Sequence, residues 1–121
     1  MDDDRTTIQE LKDEIKEFCD ERDWGKYHSA KELAIGMITE SAELIDHFRF
    51  KSDNEADEIL ADEKKRKEVN EELSDVLYFV LRFAQKYKID LARELREKMK
   101  KNSQKYPLDK AKGSNKKYNE L

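Results

Sequence analysis

Little in this chain would break a helix. Its 121 residues include one proline, Pro107, and three glycines. Both types interrupt periodic structure, so their scarcity favours long helices over a solvated coil. Cysteine is equally scarce. Cys19 alone excludes an internal disulfide framework and suits a reducing compartment, and it reads as a helix residue of no special reactivity. The longest apolar run, Val76 to Leu81, is far short of the roughly 20 residues that span a bilayer. The opening Met1-Asp-Asp-Asp4 carries neither the basic nor the apolar region of a secretion signal. The expectation is a soluble, cytoplasmic protein with no membrane partner. A net charge of −4 argues against binding a nucleic-acid polymer non-specifically.

What the chain has in abundance is charge, at 45% of residues, with a mean hydropathy of −1.09. Leu, Ile, Val and Phe number 26, just above the roughly one-fifth of residues below which disorder becomes the default. A core this lean leaves apolar surface that one chain cannot cover, and self-association is the usual remedy. The length fits one domain, residues 1–121, with a basic tail from about 108.

Apolar spacing predicts an all-α, four- to five-helix bundle. Thr6 or Thr7 can cap a first helix to about Glu21, striped by Ile8, Leu11, Ile15 and Phe18. Asp23-Trp-Gly-Lys-Tyr-His28 forms a connection, with Gly25 permitting a turn. Ser29-Ala-Lys-Glu32 matches a capping box and opens a second helix to about Phe50. Leu33, Met37, Leu44 and Phe48 centre its apolar face, with Ile38 and Ile45 on one flank. Residues 51–62 read as a loop with a short helix around Ala56–Leu60. A third long helix, from about Glu63 to Tyr87, carries Val69, Val76, Val80, Phe83 and Tyr87 on one face. Its segment Val76–Leu81 is apolar nearly all round, as at a subunit interface. Asp90 can cap a last helix, with Leu91, Leu95 and Met99, that ends by Tyr106-Pro107.

Two pairs of carboxylates stand out: Glu40-Ser-Ala-Glu43 and Glu72-Leu-Ser-Asp75. Residues three apart are neighbours on a helix surface, so each pair can grip one ion from one side. At 100° per residue Glu72 lies inside the apolar stripe and Asp75 at its edge, while Glu40 lies about 60° from Met37 and Glu43 about one further 60° step around the same side. Gly36 projects between them and leaves space for an ion or ligand, although a close helix contact explains a glycine equally well. Carboxylates so placed would repel one another without a cation. Oxygen ligands alone select Mg²⁺, Mn²⁺ or Ca²⁺. A ferritin-like di-iron centre wants Glu-x-x-His, and Glu43 and Asp75 occupy those positions. His47 lies four residues past Glu43, outside that motif. Glu-x-x-Glu also occurs at Glu68/Glu71 and Glu94/Glu97, so spacing alone is a weak signal.

Other motifs add to these pairs: Arg22-Asp-Trp24 with His28, Phe48-Arg-Phe-Lys-Ser-Asp53, Glu71-Glu-Leu-Ser-Asp-Val-Leu77, Lys98-Met99 with Asn102, Tyr106-Pro107, and Gly113-Ser114 with Lys117-Tyr118. Together they resemble the MazG-like nucleoside triphosphate pyrophosphohydrolases, most closely the dCTP pyrophosphatase branch. The resemblance runs from about residue 8 to the end. It implies four metal carboxylates at Glu40, Glu43, Glu72 and Asp75. It also implies Mg²⁺-dependent cleavage of a nucleoside triphosphate to monophosphate and pyrophosphate, with Mn²⁺ as a substitute ion, in a dimer or a tetramer built from dimers. By the same resemblance Trp24, His28, Phe50 and Phe79 surround the base. Lys98, Asn102, Lys105 and Tyr106 also contact substrate, with Lys116 and Lys117 adding charge. The chain departs from the branch where Trp becomes Phe50, Tyr becomes Phe79 and a base-side histidine becomes Ile15. These changes leave the metal residues intact and open the choice of base. The alternatives are a dUTP or general nucleotide diphosphatase, or a non-catalytic helical interaction module on the same scaffold.

Overall fold

Each long helix begins on a side-chain cap. In the computed structural model, which describes residues 2–121, α1 spans Ile8–Glu21 and Thr7 Oγ1 accepts from the Glu10 amide. α2 spans Ala30–Asp46 with Ser29 Oγ accepting from Glu32 N. α4 spans Glu63–Lys86 on an Asp62 cap, and α5 spans Leu91–Lys105 on an Asp90 cap. These caps satisfy amide donors that the first helical turn leaves unpaired. Among the described residues no strand occurs, and the all-α expectation holds.

Two boundaries differ from the sequence reading. α2 stops at Asp46 rather than near Phe50. The next four residues form a turn in which the Phe48 and Arg49 amides both donate to the Ile45 carbonyl. Phe50 then adopts φ 63°, a left-handed conformation that a helix cannot continue through. Residues 53–61, read mostly as loop, form the nine-residue helix α3 (Asp53–Ala61). Ser52 and Glu55 there make the reciprocal capping box, which offsets a weak apolar pattern, and Ile59 is buried. The tail makes a short helix, α6 (Leu108–Ala111), and a 3₁₀ turn at Tyr118–Glu120.

The chain divides into two compact units, one ending at Lys88 and one spanning Ile89–Leu121. In the first, α4 is the central element, packing most extensively on α2, then α1, then α3. Cys19, Leu33, Ile59, Val69, Leu81 and Ala84 form its enclosed core. Leu33 is fully buried, and so is Cys19, whose Sγ lies 3.2 Å from the Tyr78 hydroxyl. Other large apolar side chains stay in solvent: Ile38 and Ile45 on α2, Leu73 and Leu77 on α4. In the second unit, Tyr118 meets Tyr106 edge-on at 6.2 Å, with the Lys105 ammonium 4.9 Å from the Tyr118 ring centre. The tail therefore folds back on the end of α5.

Candidate active site

The packing of α2 on α4 brings carboxylates from both helices together. One oxygen from each of Glu40, Glu43 and Glu72 falls within 4.8 Å of the others. Oε2 of Glu40 and Oε2 of Glu72 are buried and have no hydrogen-bond partner. Buried acceptors without donors are costly, and more so when ionised. Burial raises the Glu40 carboxyl to a pKa of about 7, reinforced by the neighbouring carboxyls of Glu43, Asp75 and Glu72. Glu72 is also raised, by desolvation first and then by Glu43 and Asp75.

Asp75 stands outside the tight set. It is exposed, yet near enough for its charge to act on both Glu40 and Glu72. It starts at the edge of the apolar stripe, and its side chain is one methylene shorter than glutamate's. His47 Nε2 lies 3.9 Å from Glu72 Oε1. The sequence reading considered His47 only as a missing di-iron ligand. Its position seven residues past Glu40 puts it on the face of α2 that carries that glutamate, a signal that was available.

A hard cation fits this donor set. Three carboxylates converge, two buried oxygens lack donors, and mutual repulsion resists ionisation. Each is what a divalent ion coordinated by oxygen would reverse.

Gly36 does not hold open a space. A Cβ added there would lie 2.7 Å from Cζ of Phe79, so the ring fills the gap between the helices. The glycine serves a close helix contact rather than a ligand cavity. Phe79 in turn begins an edge-to-face series. Its ring is 5.1 Å from Tyr78, Tyr78 is 6.3 Å from Phe18, and Phe18 is 5.6 Å from Trp24. Trp24 and Phe79 thus belong to one aromatic assembly although they come from a loop and from α4. Phe50 does not join it. That ring is 90% exposed, with the Arg49 guanidinium 4.6 Å from its centre.

His28 lies 6.4 Å from Trp24, centroid to centroid. Its Nδ1 accepts from Nε of Arg82 at 3.0 Å. Arg82 is 3% exposed and was missed by the sequence reading. A charged residue directly after the apolar run Val76–Leu81 was the available signal. Ile15, on α1, is partly buried. Lys98, Asn102 and Lys105 lie along one face of α5 at spacings of four and three, and Tyr106 caps that helix. All four belong to the second unit.

Comparison with known proteins points in one direction. Residues 36–121 match the family model described as MazG-like. Rat dCTP pyrophosphatase 1 is 36% identical over 115 residues, covering 95% of this chain and 68% of that protein. The human protein of the same name is 33% identical over the same span, with the same coverage of each chain. The crystal structure of a pyrophosphatase from Archaeoglobus fulgidus superposes with a TM-score of 0.77 at 40% identity, covering 83% of this chain and 92% of that one. The chain belongs to the MazG-like family, near its dCTP pyrophosphatase branch.

Proposed function

We propose that this protein is a nucleotide pyrophosphohydrolase that cleaves a (deoxy)nucleoside triphosphate, dCTP or a modified cytosine nucleotide foremost, to the monophosphate and pyrophosphate. The observation that carries the reading is the convergence of Glu40, Glu43 and Glu72 within 4.8 Å, with two buried oxygens that lack donors. Similarity to dCTP pyrophosphatases and to a solved pyrophosphatase supports the same class.

Glu40, Glu43 and Glu72, with Asp75 at the rim, would hold Mg²⁺, or Mn²⁺ in its place. Such an ion, when bound, neutralises charge on the phosphate oxygens and lowers the pKa of an attacking water. The protein's own part is to aim these carboxylates from two rigid helices and to keep two of their oxygens out of water. A carboxylate not fully engaged by metal can accept the water's proton. Trp24, His28 and Phe79 supply the base side, and Phe50 offers a further aromatic surface. The family resemblance implies a substrate role for Lys98, Asn102, Lys105 and Tyr106 of α5 as well, and the lysine charge suits a triphosphate. The exposed Ile38, Ile45, Leu73 and Leu77 support self-association through α2 and α4. A nucleotide-pool enzyme of this kind is expected in the cytoplasm.

The test is phosphate release from a panel of nucleoside triphosphates with Mg²⁺ and added inorganic pyrophosphatase, read by malachite green. Turnover of dCTP and at least a 100-fold loss in Glu72→Ala are expected. If no triphosphate is turned over, or if Glu72→Ala retains full activity, the reading fails in favour of a non-catalytic helical module.

A further inference from the structure

The geometry points to Arg82 as a positioning residue that fixes the His28 imidazole in one tautomer, its proton on Nε2, so that the loop offers the base a single N–H donor beside Trp24. The inference rests on the proposed placement of Trp24 and His28 against the nucleobase.

An arginine Nε–H can only donate, because the guanidinium stays protonated. The His28 Nδ1 that receives it at 3.0 Å must therefore present a lone pair. A neutral imidazole with a lone pair on Nδ1 carries its proton on Nε2. Arg82 is itself held: it is 3% exposed, and its second hydrogen bond runs from Nη1 to Gln85 Oε1 at 2.5 Å. One turn on, Lys86 Nζ donates to the Gly25 carbonyl at 2.8 Å and to the His28 carbonyl. Ring and backbone of the loop are thus both tied to α4.

The charged groups acting on the ring are Arg82 and Lys86, both positive. With burial as the larger cause, they hold the imidazole below its ordinary pKa and keep it neutral at pH 7. Trp24 leaves 39% of its surface in solvent, enough to receive a stacked ring. A base stacked there would meet a fixed donor, which suits an edge that presents acceptors, as cytosine does at O2 and N3. This donor gives the site a means of reading the base.

Long-range ¹H–¹⁵N spectra of the 121-residue chain with ¹⁵N-histidine report the tautomer directly. His28→Gln distinguishes the His28 signals from those of His47. An Nε2-protonated, neutral His28 at pH 7 is expected, and an Nδ1-protonated ring or an imidazolium overturns the inference. In Arg82→Met the tautomer preference should be lost, the His28 titration should move up, and KM for dCTP should rise more than kcat falls. An unchanged His28 spectrum in that variant overturns the assignment to Arg82. Should Arg82→Met fail to fold, a second pair carries the functional arm. His28→Ala should raise KM about tenfold, the scale of one lost hydrogen bond. His28→Gln, which keeps an N–H near the Nε2 position, should recover most of that loss, and equal KM values for the two variants count against a donor role. Trp24→Ala separates the two levels of the reading. If it leaves KM unchanged, the base-side placement itself is wrong, whereas a wrong tautomer with a raised Trp24→Ala KM sinks the inference alone.

Discussion

Replacing Glu40 by Gln should stabilise the metal-free protein at alkaline pH and much less at acid pH. In the folded chain Glu40 holds its proton to a pH of about 7, because burial and then the Glu43, Asp75 and Glu72 carboxyls disfavour its charge. An unfolded glutamate releases it near the ordinary value of 4.5. Between these values the folded state binds the extra proton. The stability linked to it is whole below about pH 4.5 and is lost as pH rises through about 7. Each pKa unit corresponds to about 1.4 kcal/mol, so a rise from 4.5 to about 7 caps the cost at about 3–4 kcal/mol. Solvent screening at a partly exposed site lowers that to about 1–2 kcal/mol. Glutamine keeps the size and removes the charge. For a domain of this length that converts to a rise of about 3–8 °C in Tm at pH 8, and to about a quarter of that at pH 5, where only the unfolded carboxyl has begun to ionise. Thermal melts in EDTA at pH 5, 6, 7 and 8 measure the difference. Added Mg²⁺ should then raise the wild-type Tm by mass action and the Gln variant's much less. A Glu40→Gln protein that melts no higher than wild type at pH 8, or gains equally at pH 5, would refute this account of the cluster.

Gly36→Ala should lower Tm, since the added Cβ meets the Phe79 ring. Overpacking costs about 1–3 kcal/mol, against at most about 1 kcal/mol gained in helix propensity. Phe79→Leu in the same chain should restore part of the loss, and simple additivity of the two changes argues against the contact. Changing both exposed leucines of α4, Leu73→Lys with Leu77→Lys, should reduce the mass measured by light scattering after size exclusion while leaving the helical CD spectrum unchanged. An unaltered mass would exclude this face from self-association. Ser52→Ala removes the hydroxyl that caps α3 and should cost about 1 kcal/mol in urea denaturation, with a loss under a few tenths showing that α3 is held by packing alone.

Most helix starts were legible because they are set locally. Thr7, Ser29 and Asp90 cap the helices that the sequence reading opened there. α3 was largely missed because Ile59 and Leu60 give it too short an apolar pattern, while Ser52 and Glu55 carried a capping signal that was overlooked. The end of α2 was misplaced because Phe48 continues the apolar period past a point where the backbone has already turned. In the site, spacing brought out the two carboxylate pairs. Their final arrangement, three converging with Asp75 at the rim, depends on how far each side chain reaches across the α2–α4 contact.

By itself the sequence determined an all-α chain, its principal caps and two carboxylate pairs at helical spacing, because capping and the 3.6-residue period act within a few residues. Only the tertiary structure decided that Phe79 fills the space beside Gly36, that two glutamate oxygens are buried without donors, and that Arg82 supports His28 from 54 residues away. Those outcomes rest on distances between segments remote in the chain, which helix packing sets and no local pattern encodes.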